Sequence, residues 1–439
     1  MEGRGQHAGR WVSSILAAVC VAASLVGASA AAAVEYSAPV SYSEGGYPAI
    51  AAGPSGQVRF AWEGLFPGSD FEGGIVTAEL GDSGAFSDAS PVAADVPLVP
   101  GPERSVWGPQ LATNGAGWTC IAFSIYAGQG SSAKFDAGVV TVAPDGTVGP
   151  EVDLQPAGGL GSWQLQRTPA DGFVVLWTSM PGGDLRSAEI TPDGEVGASR
   201  TVVEARGSEV LVPLGLADVG GHSRVVWSDR ETRRVGSAPL DGSASRTEVL
   251  SPRSFADGPM PVVSGSRIYA FDRRSDGAFE LFSARADGER RAETYFRTRP
   301  AAYPTSLRIG EGSGHRVAVW DAAGGDVRAA ALDPADRARP RTLTPGPARG
   351  KASRIAVDSH GRATVIWRKI TRDGYVFEGV AAKLDRRGRP GPVTNFSRRT
   401  GITRQLDVVI DARDRAVISW NHYGGDPTAN SYVREIKGP

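Results

Sequence analysis

The sequence predicts an all-β fold, an eight-bladed β-propeller made of four-stranded antiparallel blades. One phrase recurs eight times: an apolar strand, a tight turn, and a second apolar strand that ends in Trp or Phe. The closing aromatic residues are Trp62, Phe123, Trp177, Trp227, Phe271, Trp320, Trp367 and Trp420. They follow one another at intervals of 44 to 61 residues, a period typical of propeller blades. We interpret these aromatics as core side chains that fill the space between neighbouring blades.

A second phrase follows each aromatic residue and supplies two more strands. It consists of a strand of small and apolar residues, a turn, and a closing strand, as in 138–154. Asp145-Gly146 and Asp193-Gly194 at this turn provide the positive φ that a tight hairpin requires. Because no segment shows a sustained helical period, we expect each unit to contain four strands, named a to d in chain order.

The two ends of the chain predict how the ring closes. The last unit has strands a and b and a third strand at 431–436, but no fourth strand follows. A spare segment at 38–46 resembles the ends of other units, such as 341–345. We therefore expect the N-terminal strand to complete the last blade and to cover its open edge. The alternative is a seven-bladed ring with one irregular unit, for which the weak copy around Phe271 is the candidate.

Residues 1–33 predict a secretory signal peptide. A short basic stretch precedes an apolar run at 11–26, and small residues follow, with an Ala-x-Ala cleavage site after Ala30 or Ala32. The run is short compared with the ~20 residues of a membrane span. We therefore expect cleavage, a secreted location, no membrane contact after cleavage, and a single propeller domain over 34–439.

The mature chain has one cysteine and an uneven distribution of charge. Cys120 has apolar neighbours on a predicted strand, so we expect a buried thiol and no intrachain disulfide. Residues 34–200 carry 19 acidic and 6 basic side chains, a net charge of −13, whereas 201–439 carry 28 and 39, a net charge of +11. Such a division steers anionic ligands towards the second part, promotes self-association, or is a neutral feature of a solvated surface.

Loop lengths predict which face of the ring binds a ligand. Strand directions alternate, so the a–b and c–d turns lie on one face and the b–c and d–a connections lie on the other. The long segments all belong to the second face: 63–73, 97–108, 124–137, 155–163, 368–377 and 421–429. Because function on a rigid scaffold concentrates in loops, we predict binding on this loop-rich face and at its central mouth.

Two kinds of side chain on the loop-rich face are candidates for ligand binding. The aromatic candidates precede strand a in their units and are Tyr47, Trp107, Trp163 and Tyr303. Such rings stack on sugars or aromatic ligands, or else pack to hold their own loops. The remaining candidates are Arg230, Arg273, Arg372 and His422. Arginines bind carboxylate, sulfate or phosphate groups, or pair with neighbouring acidic side chains.

The sequence contains no motif that specifies catalysis or a metal. Its five histidines are scattered, and it has neither zinc-ligand spacing nor a calcium loop. It also lacks a nucleophile elbow and a phosphate-binding loop. We therefore expect no cofactor and no metal, and the question of enzymatic activity stays open, with binding favoured. Acidic residues that follow the b-strand aromatics, such as Glu63 and Asp321, are candidates for the paired carboxylates that glycosidases use.

The phrase at 355–367, Ile-Ala-Val-Asp-Ser-His-Gly-Arg-Ala-Thr-Val-Ile-Trp, resembles the repeats of secreted actinobacterial propeller proteins, which are mostly uncharacterised. This resemblance covers the mature chain and implies the fold without specifying an activity. The repeat is also distantly similar to that of bacterial sialidase-type propellers. Their Asp box lies between strands c and d, where this chain has Pro-Asp-Gly-Thr at 144–147 without the Trp that ends the box.

Two functions from different classes follow. The first is a secreted, monomeric, non-catalytic propeller that binds an extracellular glycan, a cell-wall polymer or a protein through the loop-rich face. The second is a propeller-type carbohydrate-active hydrolase or lyase, which requires paired carboxylates, or a tyrosine–carboxylate pair with clustered arginines, around the mouth. The sequence favours the first, and it indicates no nucleic-acid partner.

Overall fold

The described part of the chain contains 33 β-strands in eight sheets. This computed structural model describes residues 34–37, 40–44, 48–53, 56–65, 73–81, 83–94, 104–127, 134–154, 159–243, 246–250, 258–288, 293–298, 303–332, 340–343, 349–370, 377–397, 402–423 and 429–437. The expected signal peptide, residues 1–33, lies outside these ranges. Within them, no helix is long and apolar enough to cross a membrane.

Seven blades are four-stranded antiparallel sheets in chain order, and the eighth uses both ends of the chain. The first two strands, which belong to blade 8, are β1 (Glu35–Tyr36) and β2 (Val40–Glu44). Blade 1 contains β3 (Ala49–Ala52), β4 (Val58–Leu65), β5 (Gly73–Leu80) and β6 (Ser90–Ala94). Blade 2 contains β7 (Arg104–Thr113), β8 (Thr119–Ala127), β9 (Lys134–Val142) and β10 (Val152–Asp153). Blade 3 contains β11 (Leu160–Arg167), β12 (Phe173–Ser179), β13 (Leu185–Ile190) and β14 (Arg200–Val203).

The remaining blades repeat this arrangement. Blade 4 contains β15 (Leu211–Val219), β16 (His222–Asp229), β17 (Val235–Pro239) and β18 (Thr247–Leu250). Blade 5 contains β19 (Val262–Ser264), β20 (Arg267–Arg273), β21 (Phe279–Arg285) and β22 (Glu293–Arg297). Blade 6 contains β23 (Arg308–Gly312), β24 (His315–Asp321), β25 (Val327–Ala331) and β26 (Arg341–Thr342). Blade 7 contains β27 (Arg349–Val357), β28 (Ala363–Ile370), β29 (Phe377–Leu384) and β30 (Thr394–Asn395), and blade 8 adds β31 (Ile402–Ile410), β32 (Ala416–Tyr423) and β33 (Ala429–Lys437).

The first strand of each blade forms the inside of a closed ring. β3, β7, β11, β15, β19, β23, β27 and β31 each contact the next, and β31 contacts β3 again. The prediction of an eight-bladed propeller is therefore confirmed. The seven-bladed alternative is wrong, because the unit around Phe271 is a complete four-stranded blade whose Phe271 side chain is fully buried.

The repeated aromatic residues pack between neighbouring blades. Phe271 of blade 5 and Trp320 of blade 6 lie in one apolar cluster, with their ring centroids 5.8 Å apart. Phe296 of blade 5 stacks on Trp320 at 5.0 Å. Cys120 is buried in the cluster between blades 2 and 3, and this burial raises the pKa of its thiol. A wide aromatic ring fills the wedge-shaped space between blades, which explains why this position repeats.

The N-terminal segment closes blade 8. β1 and β2 both run antiparallel to β33, with Tyr36 opposite Glu435 and Val40 opposite Tyr432. Tyr36 is buried and packs edge-on against Phe396 of blade 7, with 6.4 Å between ring centroids. The N-terminal segment thus supplies the strand that the C-terminal part of the blade lacks, and it covers the outer edge of β33.

A buried ion pair connects blade 8 to blade 7. Lys383 Nζ lies 2.6 Å from Glu435 Oε1, and the two side chains are only 3% and 4% exposed. Glu435 Oε2 accepts a hydrogen bond from the backbone N–H of Ala416 at 3.1 Å. Because breaking a buried pair leaves an uncompensated charge, this contact fixes how the last two blades fit together.

Substituting Trp320 tests whether the repeated aromatic acts through shape alone. Its indole Nε1 is buried and has no hydrogen-bond partner within the described chain, and Phe fills the same position in blades 2 and 5. We expect W320F to unfold within about 1.5 kcal/mol of the wild type, whereas W320A loses about 3–5 kcal/mol. Urea denaturation of both variants measures the difference. Equal losses would contradict the shape argument.

Candidate functional site

A cavity of about 430 Å³ lies in the central channel. Its wall comes from residues of β3, β7, β11, β27 and β31 and from the residues just before β3. Each of these strands begins at the loop-rich face, and the cavity is formed largely by their first residues. It is therefore placed at the mouth where the sequence predicts binding.

Equivalent residues of the innermost strands form a ring around the channel. Each lies opposite the residue that immediately precedes the closing aromatic of its own blade. We call the seven that the pairing identifies the channel ring: Ala49, Gln110, Gln164, Gly215, Arg308, Arg354 and Asp407. Charged and amide side chains therefore occupy one level of the channel on five of these blades.

Two channel-ring side chains satisfy backbone groups of the next blade. Gln110 Oε1 accepts a hydrogen bond from the N–H of Leu165 at 3.0 Å, and Asp407 Oδ2 accepts one from the N–H of Ile50 at 3.4 Å. The innermost strand is an edge strand whose outward N–H groups have no partner within their own sheet. A polar ring side chain thus joins neighbouring blades and satisfies these groups at the same time.

A β-bulge precedes the channel ring in β7 and in β31. Gly108 has a positive φ of 64° there, and its N–H donates to Glu63 Oε1 at 2.8 Å. Gln405 occupies the same place in blade 8 with a φ of 43° and lines the cavity. The left-handed conformation costs a residue with a side chain roughly 1–2 kcal/mol. Strain of this kind concentrates at functional positions.

Asp407 is the charged group of the cavity whose ionisation is most perturbed. Burial raises the pKa of this carboxyl, and the charge of the neighbouring Arg354 opposes the rise without cancelling it. The Asp407 oxygens accept hydrogen bonds from the N–H groups of Val408 and Ile50. The cavity therefore contains a cation beside a carboxyl group that protonates more easily than an exposed one.

Exposed aromatic rings lie beside the cavity, at the loop-rich end of blade 2. Trp107, Tyr126 and Phe135 come from strands a, b and c, and we call them the aromatic surface. The ring of Phe135 lies 6.5 Å from that of Trp107 and 5.1 Å from that of Tyr126. Trp107 and Phe135 are 40% and 43% exposed. Trp107 immediately precedes Gly108 of the cavity wall, so the aromatic surface and the cavity adjoin.

Two other aromatic candidates make structural contacts. Trp163 is half-buried, and its indole N–H donates to Ser124 Oγ of blade 2 at 3.0 Å. Tyr303 is 39% exposed and packs edge-on against Phe279, with 5.1 Å between centroids. Trp163 thus holds blade 3 to blade 2, and Tyr303 joins blade 6 to blade 5. Tyr47 lies outside the described residues.

The remaining candidates are not brought to the channel ring. Arg230 is exposed in the turn after β16, and its N–H donates to the carbonyl of Val210. Arg273 is exposed at the end of β20. His422 lies on β32, but its side chain is outside the described part, as is Arg372 altogether.

The acids that follow the closing aromatics hold neighbouring strands. Glu63 accepts the N–H of Gly108, and Asp321 Oδ1 accepts a hydrogen bond from Ser353 Oγ of the next blade at 2.8 Å. They therefore connect blades rather than face each other as a pair.

Two features of the tight face carry polar groups with structural partners. The carboxylate of Asp358, which with His360 and Asp414 makes a possible metal-ligand group, already accepts N–H groups of His360 and Arg362 and the Arg362 guanidinium. A second cavity of about 550 Å³ between blades 3 and 4 is lined by Arg200, which pairs with Glu189. The carboxylates of this face mainly stabilise its turns.

Sequence reasoning missed Arg308, Arg354 and Asp407. One signal was available, because each lies 12 or 13 residues before the closing aromatic of its unit. It missed Phe135 and Tyr126 as well, since they flank a long connection where the repeat has no fixed register.

No protein-family model and no curated protein matches the chain. Among solved structures, a protein of unknown function from Dyadobacter fermentans is similar over 92% of this chain and 99% of its own, with 11% identity and a TM-score of 0.43. A puromycin hydrolase is 17% identical over 74% of this chain and 51% of its own, with a TM-score of 0.49. A prolyl endopeptidase is 12% identical over 96% and 61%, also at 0.49. Similarities of this size carry no argument about activity.

Titration of Asp407 tests the electrostatics of the cavity. Because the charge of Arg354 favours the ionised carboxyl, R354Q raises the pKa of Asp407 further above its ordinary value. A carboxyl whose pKa is raised by folding makes stability fall as pH rises between its ordinary and its raised pKa, so R354Q extends this interval upwards. Carbon-13 NMR of the Asp407 carboxyl measures the shift. An unchanged or lower pKa in R354Q would show that Arg354 does not act on Asp407.

Proposed function

We propose that this chain is a secreted, non-catalytic propeller that binds an extracellular carbohydrate at its loop-rich face. The observation that carries the proposal is the aromatic surface of blade 2 beside the channel cavity. Trp107 and Phe135 keep large exposed areas although most large apolar side chains of the described chain are buried. Export is inferred from the composition of residues 1–33.

Exposed aromatic rings on rigid strands suit carbohydrate binding. The apolar face of a sugar ring packs on an aromatic ring, while its hydroxyl groups need polar partners nearby. Trp107 and Phe135 offer the first kind of contact, and Gln110 and Gln405 of the adjoining cavity offer the second. All four residues belong to innermost or neighbouring strands, which a packed ring holds in place.

The alternative, a carbohydrate-active hydrolase or lyase, differs in what it does with a bound chain. It requires two acid–base groups placed on either side of the scissile bond. Glu63 and Asp321 were the candidates for such groups, and both hold strands of the next blade. Binding without release of soluble sugar therefore separates the two functions.

Retention on insoluble polysaccharides tests the proposal. The mature chain is incubated with cellulose, chitin, xylan and peptidoglycan, and depletion isotherms give the affinities. We expect retention on at least one, and W107A and F135A weaken it by about 10-fold, since a lost aromatic contact of ~1.4 kcal/mol has this effect.

Val393 provides the matched control for these variants. It is 38% exposed and precedes β30, far in sequence from the aromatic surface, so V393A should bind as the wild type does. Retention on none of the polymers, or equal retention by W107A and V393A, would overturn the proposal. Release of reducing sugar into the supernatant would replace it with the hydrolase or lyase.

A further inference from the structure

Two arginines of the channel ring lie on neighbouring blades at the same level. Arg308 begins β23 and lies opposite Val319, and Arg354 on β27 lies opposite Ile366. Val319 and Ile366 both immediately precede the closing tryptophan of their blades. Burial lowers the pKa of Arg308, and the charge of Arg354 lowers it further, so the two cations are close enough to repel each other.

Neither guanidinium forms an ion pair within the described chain. Arg308 Nη1 donates to the carbonyl of Leu307 at 2.8 Å, and Arg354 Nη1 donates to the carbonyl of Ser353 at 3.2 Å. Both acceptors belong to the preceding residue of the same chain segment. A guanidinium carries five N–H donors, so each arginine keeps most of its donors for the channel. The Arg308 side chain is accessible to solvent although protein encloses it, as expected of a group that lines a channel.

The nearest carboxylates act on these arginines only from a distance. Asp321 reduces the electrostatic strain on Arg308, but its Oδ1 accepts the hydroxyl of Ser353. Asp407 interacts with Arg354, but its oxygens accept backbone N–H groups. Enclosed cations without a hydrogen-bonded counter-charge are costly, and an anion between them would supply the missing partner.

We propose that Arg308 and Arg354 form an anion-binding site in the channel, which takes a carboxylate, sulfate or phosphate group of the carbohydrate ligand. This rests on the proposed function and deepens it, because it makes the ligand an acidic polysaccharide. Arg354 and Gly108 line the same cavity, and Gly108 follows Trp107 of the aromatic surface. One sugar chain therefore stacks on blade 2 while an acidic substituent reaches blades 6 and 7.

The charge distribution of the chain agrees with this orientation. Residues 34–200, which include the aromatic surface, carry a net charge of −13, and residues 201–439, which include both arginines, carry +11. An acidic group near the mouth is attracted towards the second part and repelled by the first. Planar guanidinium groups then bind its oxygens in pairs, which an ammonium group does not do.

Calorimetric titration with inorganic sulfate, at constant ionic strength set with chloride, tests the site without any sugar. We expect one saturable sulfate per chain. R308Q and R354Q each weaken it by about 10-fold or more, the size expected for lost charge-assisted hydrogen bonds. R354K keeps the charge but not the planar fork, so it falls between R354Q and the wild type.

Arg230 provides the matched control, since it is an exposed arginine away from the channel ring. R230Q and W107A should bind sulfate as the wild type does. No saturable heat in the wild type, or the same sulfate affinity in R354Q and R230Q, would overturn the inference. Variants that bind no sulfate but also lose the wild-type unfolding midpoint are replaced by R354K, whose intermediate affinity decides.

Three acidic polymers separate the sources of the anion: polygalacturonate for carboxylate, dextran sulfate for sulfate and poly(glycerol phosphate) for phosphate. We expect R354Q to weaken binding of at least one of them by about 10-fold. Sulfate binding that persists while no polysaccharide is retained contradicts the proposed function and leaves the anion site in place. Polysaccharide retention that depends on Trp107 but not on Arg308 or Arg354 contradicts the anion site and leaves the proposed function in place.

Discussion

The whole structure depends on the closure of a ring whose first and last blades are joined only by noncovalent contacts. Blade 8 takes β31 to β33 from one end of the chain and β1 and β2 from the other. The single free cysteine, Cys120, lies far from this junction, between blades 2 and 3. Strand pairing with β33, burial of Tyr36 and the Lys383–Glu435 ion pair therefore hold the ring closed.

Closure also determines what the channel can do. Eight edge strands meet there, and their unpaired backbone groups require polar partners. Gln110 and Asp407 meet this requirement by accepting N–H groups of the next blade. Arg308 and Arg354 occupy equivalent positions but bind only carbonyls of their own strands. The same level of the ring thus contains side chains that join the blades and side chains that remain available to a ligand.

The fold was predictable from the sequence, whereas the site was predictable only in part. Burial between blades demands a wide apolar side chain at one position of every blade, so Trp320 and its equivalents repeat visibly. The location on the loop-rich face and Trp107 followed from loop length and from position relative to strand a. Phe135 follows a long connection without a repeating register, and bulges shift Arg354 and Asp407 relative to the turns, so their equivalence becomes apparent only from strand pairing.

Removal of the N-terminal strand tests the central claim most directly. The mature chain is compared with one that begins at residue 45 by thermal unfolding and analytical ultracentrifugation, with a synthetic peptide of residues 34–44 added back. Closure by this segment predicts a lower unfolding midpoint, self-association through the exposed edge of β33, and recovery of both properties with the peptide. An unchanged midpoint and a monomeric shortened chain would show that the ring closes without its first strands.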